Sequence, residues 1–238
     1  MHLKKACLLA VVASMAVVTA HATPRSAAAS GQHFLQAAEN LDSWHVGAYA
    51  RTHERRVKQD SSKAKTDIEI NRGLIVIGYD VLPWLTVYGA IGGSDAEIDM
   101  TGESDSAVEF GVGAWFNLLD HDTLSFLETL HRFRIQGTLQ YSMFSNDDIT
   151  WGEFAGNVTF GLTNEIIGNK TYWPDEITIY VGPAMNIVIC DDYSVSSGNS
   201  FGLVAGLEMQ VNKRAGIGVA FEKYSDDHAI TGHVMVRF

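Results

Sequence analysis

Three arginines and five glutamates fall on the polar side of segments whose other side is apolar: Arg51, Arg134 and Arg237, with Glu69, Glu109, Glu153, Glu208 and Glu222. Charges of both signs on one face can do two kinds of work. If the face is enclosed they must pair, because burying a single charge is costly, and the result is an ionic and hydrogen-bonded plug. If the enclosure is wider, they line a narrow polar conduit. The plug is the reading preferred here, since a wide aqueous pore needs roughly 16 strands. The surplus of carboxylates over arginines suggests that one or more carries a proton or holds a cation.

Other candidates are thinner. Asp99, Glu103, Asp105, Asp147, Asp148, Asp191, Asp192, Asp226 and Asp227 gather in connectors. Paired carboxylates can take calcium, but no connector has the spacing of a dedicated calcium loop, so solvated acids are expected and no metal or cofactor is assigned. One connector is instead basic, with Arg55, Arg56, Lys58, Lys63 and Lys65, a charge that suits lipopolysaccharide phosphates. Asp226, Asp227 and His228 adjoin one another, but there is no Gly-x-Ser-x-Gly elbow. His45 and His53 share a face, yet eight residues along a strand separates them too far to share a metal. Nothing beside Cys190 suggests an activated thiol.

These side chains are placed by a dominant period of two. Phe133, Ile135, Gly137, Leu139, Tyr141 and Met143 alternate with Arg134, Gln136, Thr138, Gln140 and Ser142, and the same pattern recurs along the chain. It predicts ten strands: 44–56, 66–79, 85–98, 107–118, 132–144, 150–163, 176–189, 201–212, 215–224 and 228–238. If 176–189 and 201–212 or another hairpin is not a true pair, the number is eight. Most exceed the five or six residues of soluble strands and match the ~9–11 that cross a bilayer when tilted. Aromatics mark both ends: Trp44, Tyr79, Trp84, Phe116, Phe133, Phe160 and Phe238 at one, Tyr141, Trp151 and Phe154 at the other. Helical spacing is confined to Gln32–Leu41, within a flexible leader over 23–42, and to Asp122–His131.

The start of the chain indicates export. Lys4 and Lys5 precede an uncharged run from Ala6 to Ala20 that ends in Ala20-His21-Ala22, a small-x-small cleavage pattern. The run is shorter than the ~20 residues of a spanning helix, so residues 1–22 read as a cleaved signal and 43–238 as one domain. Cleavage leaves Cys190 as the sole cysteine, which precludes an intrachain disulfide. It also leaves 15 Lys+Arg against 28 Asp+Glu, a formal charge of −13, which excludes nucleic acid as a partner. No later stretch could be a spanning helix, so a membrane would have to be crossed by strands, closed on themselves because lipid supplies no hydrogen bonds.

The last strand runs Ile230, Gly232, Val234, Val236, Phe238 on one face. With Gly78-Tyr79-Asp80 and Pro83-Trp84-Leu85-Thr86-Val87-Tyr88-Gly89, it resembles the bacterial outer-membrane β-barrel family, in particular the small OmpA-like barrel. The resemblance implies an all-β, antiparallel up-and-down transmembrane barrel in the outer membrane. It also implies that Phe238, Val236 and Val234 form the signal read by the barrel-assembly machinery. A monomer with a structural, envelope-integrity or surface-interaction role is expected, among lipid and lipopolysaccharide. The alternatives are a narrow pore for ions or small solutes, and a hydrolase resembling the ten-stranded omptin proteases or acting on lipid.

Overall fold

The computed structural model describes residues 33–34, 44–59, 65–82, 84–98, 104–124, 130–145, 150–165, 176–190, 193–195, 200–212 and 215–238. The signal segment with Ala20 and Ala22 lies outside these, as does the leader except His33 and Phe34. Two short strands were not anticipated: β1 (His33–Phe34) and β9 (Tyr193–Val195). The long ones are β2 (Trp44–Gln59), β3 (Lys65–Leu82), β4 (Leu85–Ile98), β5 (Ser104–Leu124) and β6 (Leu130–Ser145), then β7 (Thr150–Glu165), β8 (Glu176–Cys190), β10 (Phe201–Asn212), β11 (Ala215–Tyr224) and β12 (His228–Arg237). Each long strand pairs antiparallel with the next, and β12 pairs back onto β2 from His228↔Glu54 to Arg237↔His45. The sheet is therefore a closed, ten-stranded up-and-down barrel with no unpaired long edge, and the described residues contain no helix.

Residue pairing fixes the tilt. The row leaving β2 at Trp44 passes through Tyr79, Val87, Ala114, Leu139, Gly156, Met185 and Phe201. Two positions below it, Leu203, Lys223, His228 and Glu54 form a row that re-enters β2 far from where the first one left. The stagger is about twelve residues, which tilts the strands by roughly 35–45° to the axis.

Alternate side chains then point out and in. The outward positions carry exposed Val, Ile, Leu and Phe around the ring, Val112 at 62% and Ile179 at 64% among them. At the end of the barrel where β2 begins and β12 ends, called the terminal end, Trp44 packs on Tyr79 (ring centroids 5.0 Å) and Trp84 on Phe116 (6.4 Å). The Phe238 amide donates to the Trp44 carbonyl at 2.9 Å, and its ring is exposed beside them. An apolar band with an aromatic edge is the outer surface of a membrane-spanning barrel.

Two irregularities interrupt the pattern, and one of them shifts the parity. At the distal end, away from the termini, the outward face of β2–β4 turns polar: Thr52, Glu54 and Arg56, then Asp67, Glu69 and Asn71, then Asp95 and Glu97. These strands rise out of the lipid band there, and on β3 and β4 the sense of the alternation inverts, with Ile68, Ile70 and Ala96 turned inward. Near the terminal end, the register of β5 on β6 shifts between Asn117 and Leu119. This bulge carries Asp120 inward although the earlier inward positions, Glu109 to Trp115, are odd-numbered. The helical turn expected over Asp122–His131 is not found in its described part: β5 continues to Leu124 and β6 begins at Leu130. Of the leader, His33 and Phe34 are extended and pair with Asp120 and Leu119; the remainder of the expected helix lies outside the described residues.

Candidate functional site: a layered lumen

The inward side chains form four layers along the axis. At the distal mouth, Val57, Ile68, Ile70, Ala96, Phe144 and Trp151 make a dry apolar cap. Trp151, expected among the outer aromatics, points inward on β7 and stacks on Phe144 (6.4 Å). Its parity is odd, like that of Glu153, so it belongs to the lumen.

Beneath the cap lies the ionic layer. Arg51 on β2 reaches across to Glu153 on β7 (Nη1–Oε1 3.1 Å) and to Glu222 on β11 (Nη2–Oε2 2.9 Å). Arg72 on β3 pairs with Glu153 through Nη2 and lies 3.4 Å from Glu109 through Nε. Arg55 donates to the side chain and carbonyl of Asn186 and stands 3.4 Å from Asp227. Asn186 returns a bond to Glu153, Ser94 donates to Glu109, and the Tyr224 hydroxyl donates to Glu222 at 2.7 Å. The guanidinium fork explains the use of arginine, since one cation can satisfy two carboxylates on different strands. His53 completes the layer, fully buried 6.3 Å from the Tyr224 ring, with no hydrogen-bond partner at either ring nitrogen.

The third layer is aromatic. Gln140 donates to the Tyr49 hydroxyl at 2.8 Å and accepts from that of Tyr88 at 3.0 Å, and Tyr88 stacks on Trp115 at 4.3 Å. Glycines make room for the inward rings. Tyr88 is paired with Gly113, Tyr180 with Gly206, Tyr224 with Gly202 and His233 with Gly218. In each pair the ring occupies the space over the glycine where a Cβ would overlap it.

The fourth layer is a vestibule at the terminal end. Buried Asp80 is 2.7 Å from His45 and 3.2 Å from Arg237. Arg132 and Arg134 straddle Asp120 and Glu176 at 3.4–4.0 Å. Glu208 lies 3.3 Å from His233. Whereas the ionic layer is almost inaccessible, with Arg72 and Glu153 both at 1%, the Glu208 side chain in the vestibule is 36% exposed.

The structure thus gathers Arg51, Glu109, Glu153 and Glu222 into one layer. Arg134, Arg237 and Glu208 stand apart in the vestibule, where Arg134 pairs with Asp120 and Glu176, Arg237 with Asp80 and Glu208 with His233. Glu69 is a correction. It faces outward on β3, accepting from Asn71 at 3.0 Å, because that part of β3 is above the lipid band and its apolar residues, Ile68 and Ile70, turn inward to the cap. Arg55 is another: read as part of a basic surface connector, it is fully buried in the lumen, while Arg56 beside it is exposed and paired with Asp67 at 2.9 Å. Asp227, read as a solvated acid, is buried against Arg55. Arg72 and Asp80 also line the lumen; Arg72 shares its strand face with apolar Ile70 and Leu74, so a rule that takes the polar face as the inward one does not find it.

The turn Asp226-Asp227-His228 sends its side chains three ways, to Arg56 (3.8 Å), to Arg55 and to Glu54 (3.5 Å), so they share no site. Asp99, Glu103, Asp147, Asp148, Asp191, Asp192 and Lys63 lie outside the described residues. Among the described residues, no group of three or more His, Cys, Asp or Glu is placed to hold a metal ion.

No family model matches the chain, and no curated protein does. Among solved structures, the chain is similar to the COG4313 outer-membrane channel from Pseudomonas putida F1, at 8% identity over 85% of this chain and 98% of that one, TM-score 0.41. It is similar to the transport unit of the autotransporter AIDA-I from Escherichia coli, at 11% identity over 84% and 91%, TM-score 0.47. It is also similar to the attachment invasion locus protein Ail of Yersinia pestis, at 13% identity over 84% and 100%, TM-score 0.26. These neighbours are outer-membrane β-barrels of differing function, and no activity transfers from them at such identities.

Proposed function

We propose that this chain is an integral outer-membrane barrel, closed toward the cell exterior and open toward the periplasm, with a structural or surface-interaction role in the envelope. The observation that carries this reading is the distal seal: an apolar cap stacked on Arg51 and Arg72, each bridging two carboxylates, and on Arg55, which joins Asn186 to Asp227. A hydrated conduit would need those groups to remain wet, and burying them is worthwhile only when each is paired. The export signal and the apolar band support the location. The termini would lie on the periplasmic side, and the polar distal parts of β2–β4 would stand above the outer leaflet as the surface offered to lipopolysaccharide and other partners.

The test is deletion and complementation in the native host. The deletion should sensitise cells to detergents or large antibiotics. The wild-type chain, recovered from the outer membrane in a heat-modifiable form, should restore resistance. Loss of uptake of a small solute, with the permeability barrier intact, would instead establish the pore reading.

A further inference from the structure

We infer that His53 is an acid-sensitive latch on the distal seal: a proton taken up by its imidazole loosens the ionic layer and uncovers the apolar cap. His53 points into the lumen between Arg51 and Arg55 on β2 and is fully buried. Its lateral neighbours in the sheet are Ile70 on β3 and Ala229 on β12, both apolar and fully buried. The Tyr224 ring lies 6.3 Å away, and neither nitrogen of the imidazole has a hydrogen-bond partner. A buried polar group without a partner costs stability, so packing alone would favour an apolar side chain at this position.

The charged groups around the ring are Arg51 and Arg55 on its own strand, Arg72 on β3, Glu109 on β5, Glu153 on β7, Glu222 on β11 and Asp227 in the β11–β12 turn. Each of those carboxylates is already engaged by a guanidinium: Glu153 by Arg51 and Arg72, Glu222 by Arg51, Glu109 by Arg72 and Asp227 by Arg55. An imidazolium would add a fourth cation with two N–H donors and no acceptor in place for either. Burial first, and the Arg51 guanidinium second, oppose charge on this ring, so the sealed layer holds it neutral. His53 stands level with outward-facing Thr52 and Glu54, above the lipid band, where loosening of the layer admits water. A hydrated imidazole binds its proton near pH 6.5. The released form therefore takes a proton that the sealed form does not. Closure is complete above about pH 6.5 and weakens by up to roughly tenfold per unit as the pH falls below it.

The latch rests on the closed-barrel reading. Its test is acrylamide quenching of the refolded full-length barrel in detergent, in a protein retaining only Trp151, which stacks on Phe144 in the cap. Quenching should be weak at pH 7.5 and rise at least threefold at pH 5.0. His53→Gln and His53→Phe should both stay weakly quenched at the two pH values. His53→Phe also removes the unpaired ring nitrogens, so it should resist urea at pH 7.5 at least as well as the parent, and it decides the matter if His53→Gln does not refold. His233→Gln, in the vestibule, should keep the full acid response, which separates the latch from the other histidines. Heat-modifiable migration reports folding of each variant. No rise at pH 5.0 in the parent protein, or an equal rise in both His53 variants, would overturn the latch. Strong quenching already at pH 7.5 would instead overturn the seal on which it rests.

Discussion

Arg51 and Glu153, 102 residues apart in sequence, meet inside the barrel at 3.1 Å from walls that are not neighbours in the sheet. Backbone pairing closes the barrel as a surface, whereas this contact and that of Arg72 with the same glutamate tie the surface across its interior. Glu153 is the hub, touching Arg51, Arg72, Asn186 and Trp151.

Replacing the hub leaves Arg51 with Glu222 alone and Arg72 with Glu109 alone, each a buried guanidinium that has lost one of its two carboxylates. Glu153→Ala should cost about 3–5 kcal/mol, the range for breaking a buried ion pair on one side. Urea unfolding in detergent micelles reads this directly; a loss of under about 1 kcal/mol would show that the layer is hydrated rather than sealed.

The glycine pairs make a positional prediction. Gly113→Ala puts a methyl group into the Tyr88 ring and should destabilise by about 1–3 kcal/mol. Gly232→Ala, outward on β12 with nothing within 4 Å of its Cβ, should change stability by no more than about 0.5 kcal/mol. The same unfolding assay compares the two, and equal effects would contradict the placement of the rings.

Lipid contact is testable by charge. Val112 is 62% exposed in the apolar band, so Val112→Arg should cost about 2–4 kcal/mol when refolded into vesicles. Glu54→Lys, on the polar distal face, should be tolerated in the same vesicles. Tolerance at both positions would place the band elsewhere.

Single-tryptophan variants separate the two faces optically. Trp44 is 55% exposed on the outer surface and Trp151 is buried at 1% in the cap. Fluorescence of a protein retaining only Trp44 should be quenched by brominated lipid acyl chains, and that of one retaining only Trp151 should not. Strong quenching of Trp151 would return it to the outer girdle.

The architecture was legible because lipid and lumen impose opposite chemistry on alternate residues. Phe133 to Met143 against Arg134 to Ser142 reads as a strand with no further information. The same rule marks Arg51, Glu109, Glu153, Glu208 and Glu222 as sharing a face with polar neighbours. It fails where the physical contrast fails. Above the lipid band β3 reverses its sense, with Ile68 and Ile70 inward and Glu69 outward, and β2 carries charge on both faces, so polarity alone misplaces Glu69 and does not tell Arg55 from Arg56. The bulge at Asn117–Leu119 reverses the parity that would have led to Asp120. Which arginine meets which carboxylate depends on the stagger of the whole ring. A sequence read one strand at a time does not contain that stagger.

The central claim is that the distal half of the lumen is sealed, and single-channel recording in planar bilayers tests it most directly. The wild-type barrel should insert without unitary conductance. Replacing Arg51, Arg72 and Glu153 together by alanine, with Phe144 and Trp151 likewise truncated, should produce discrete openings if that variant folds as judged by heat-modifiable migration. Stable unitary conductance from the wild-type protein would contradict the account.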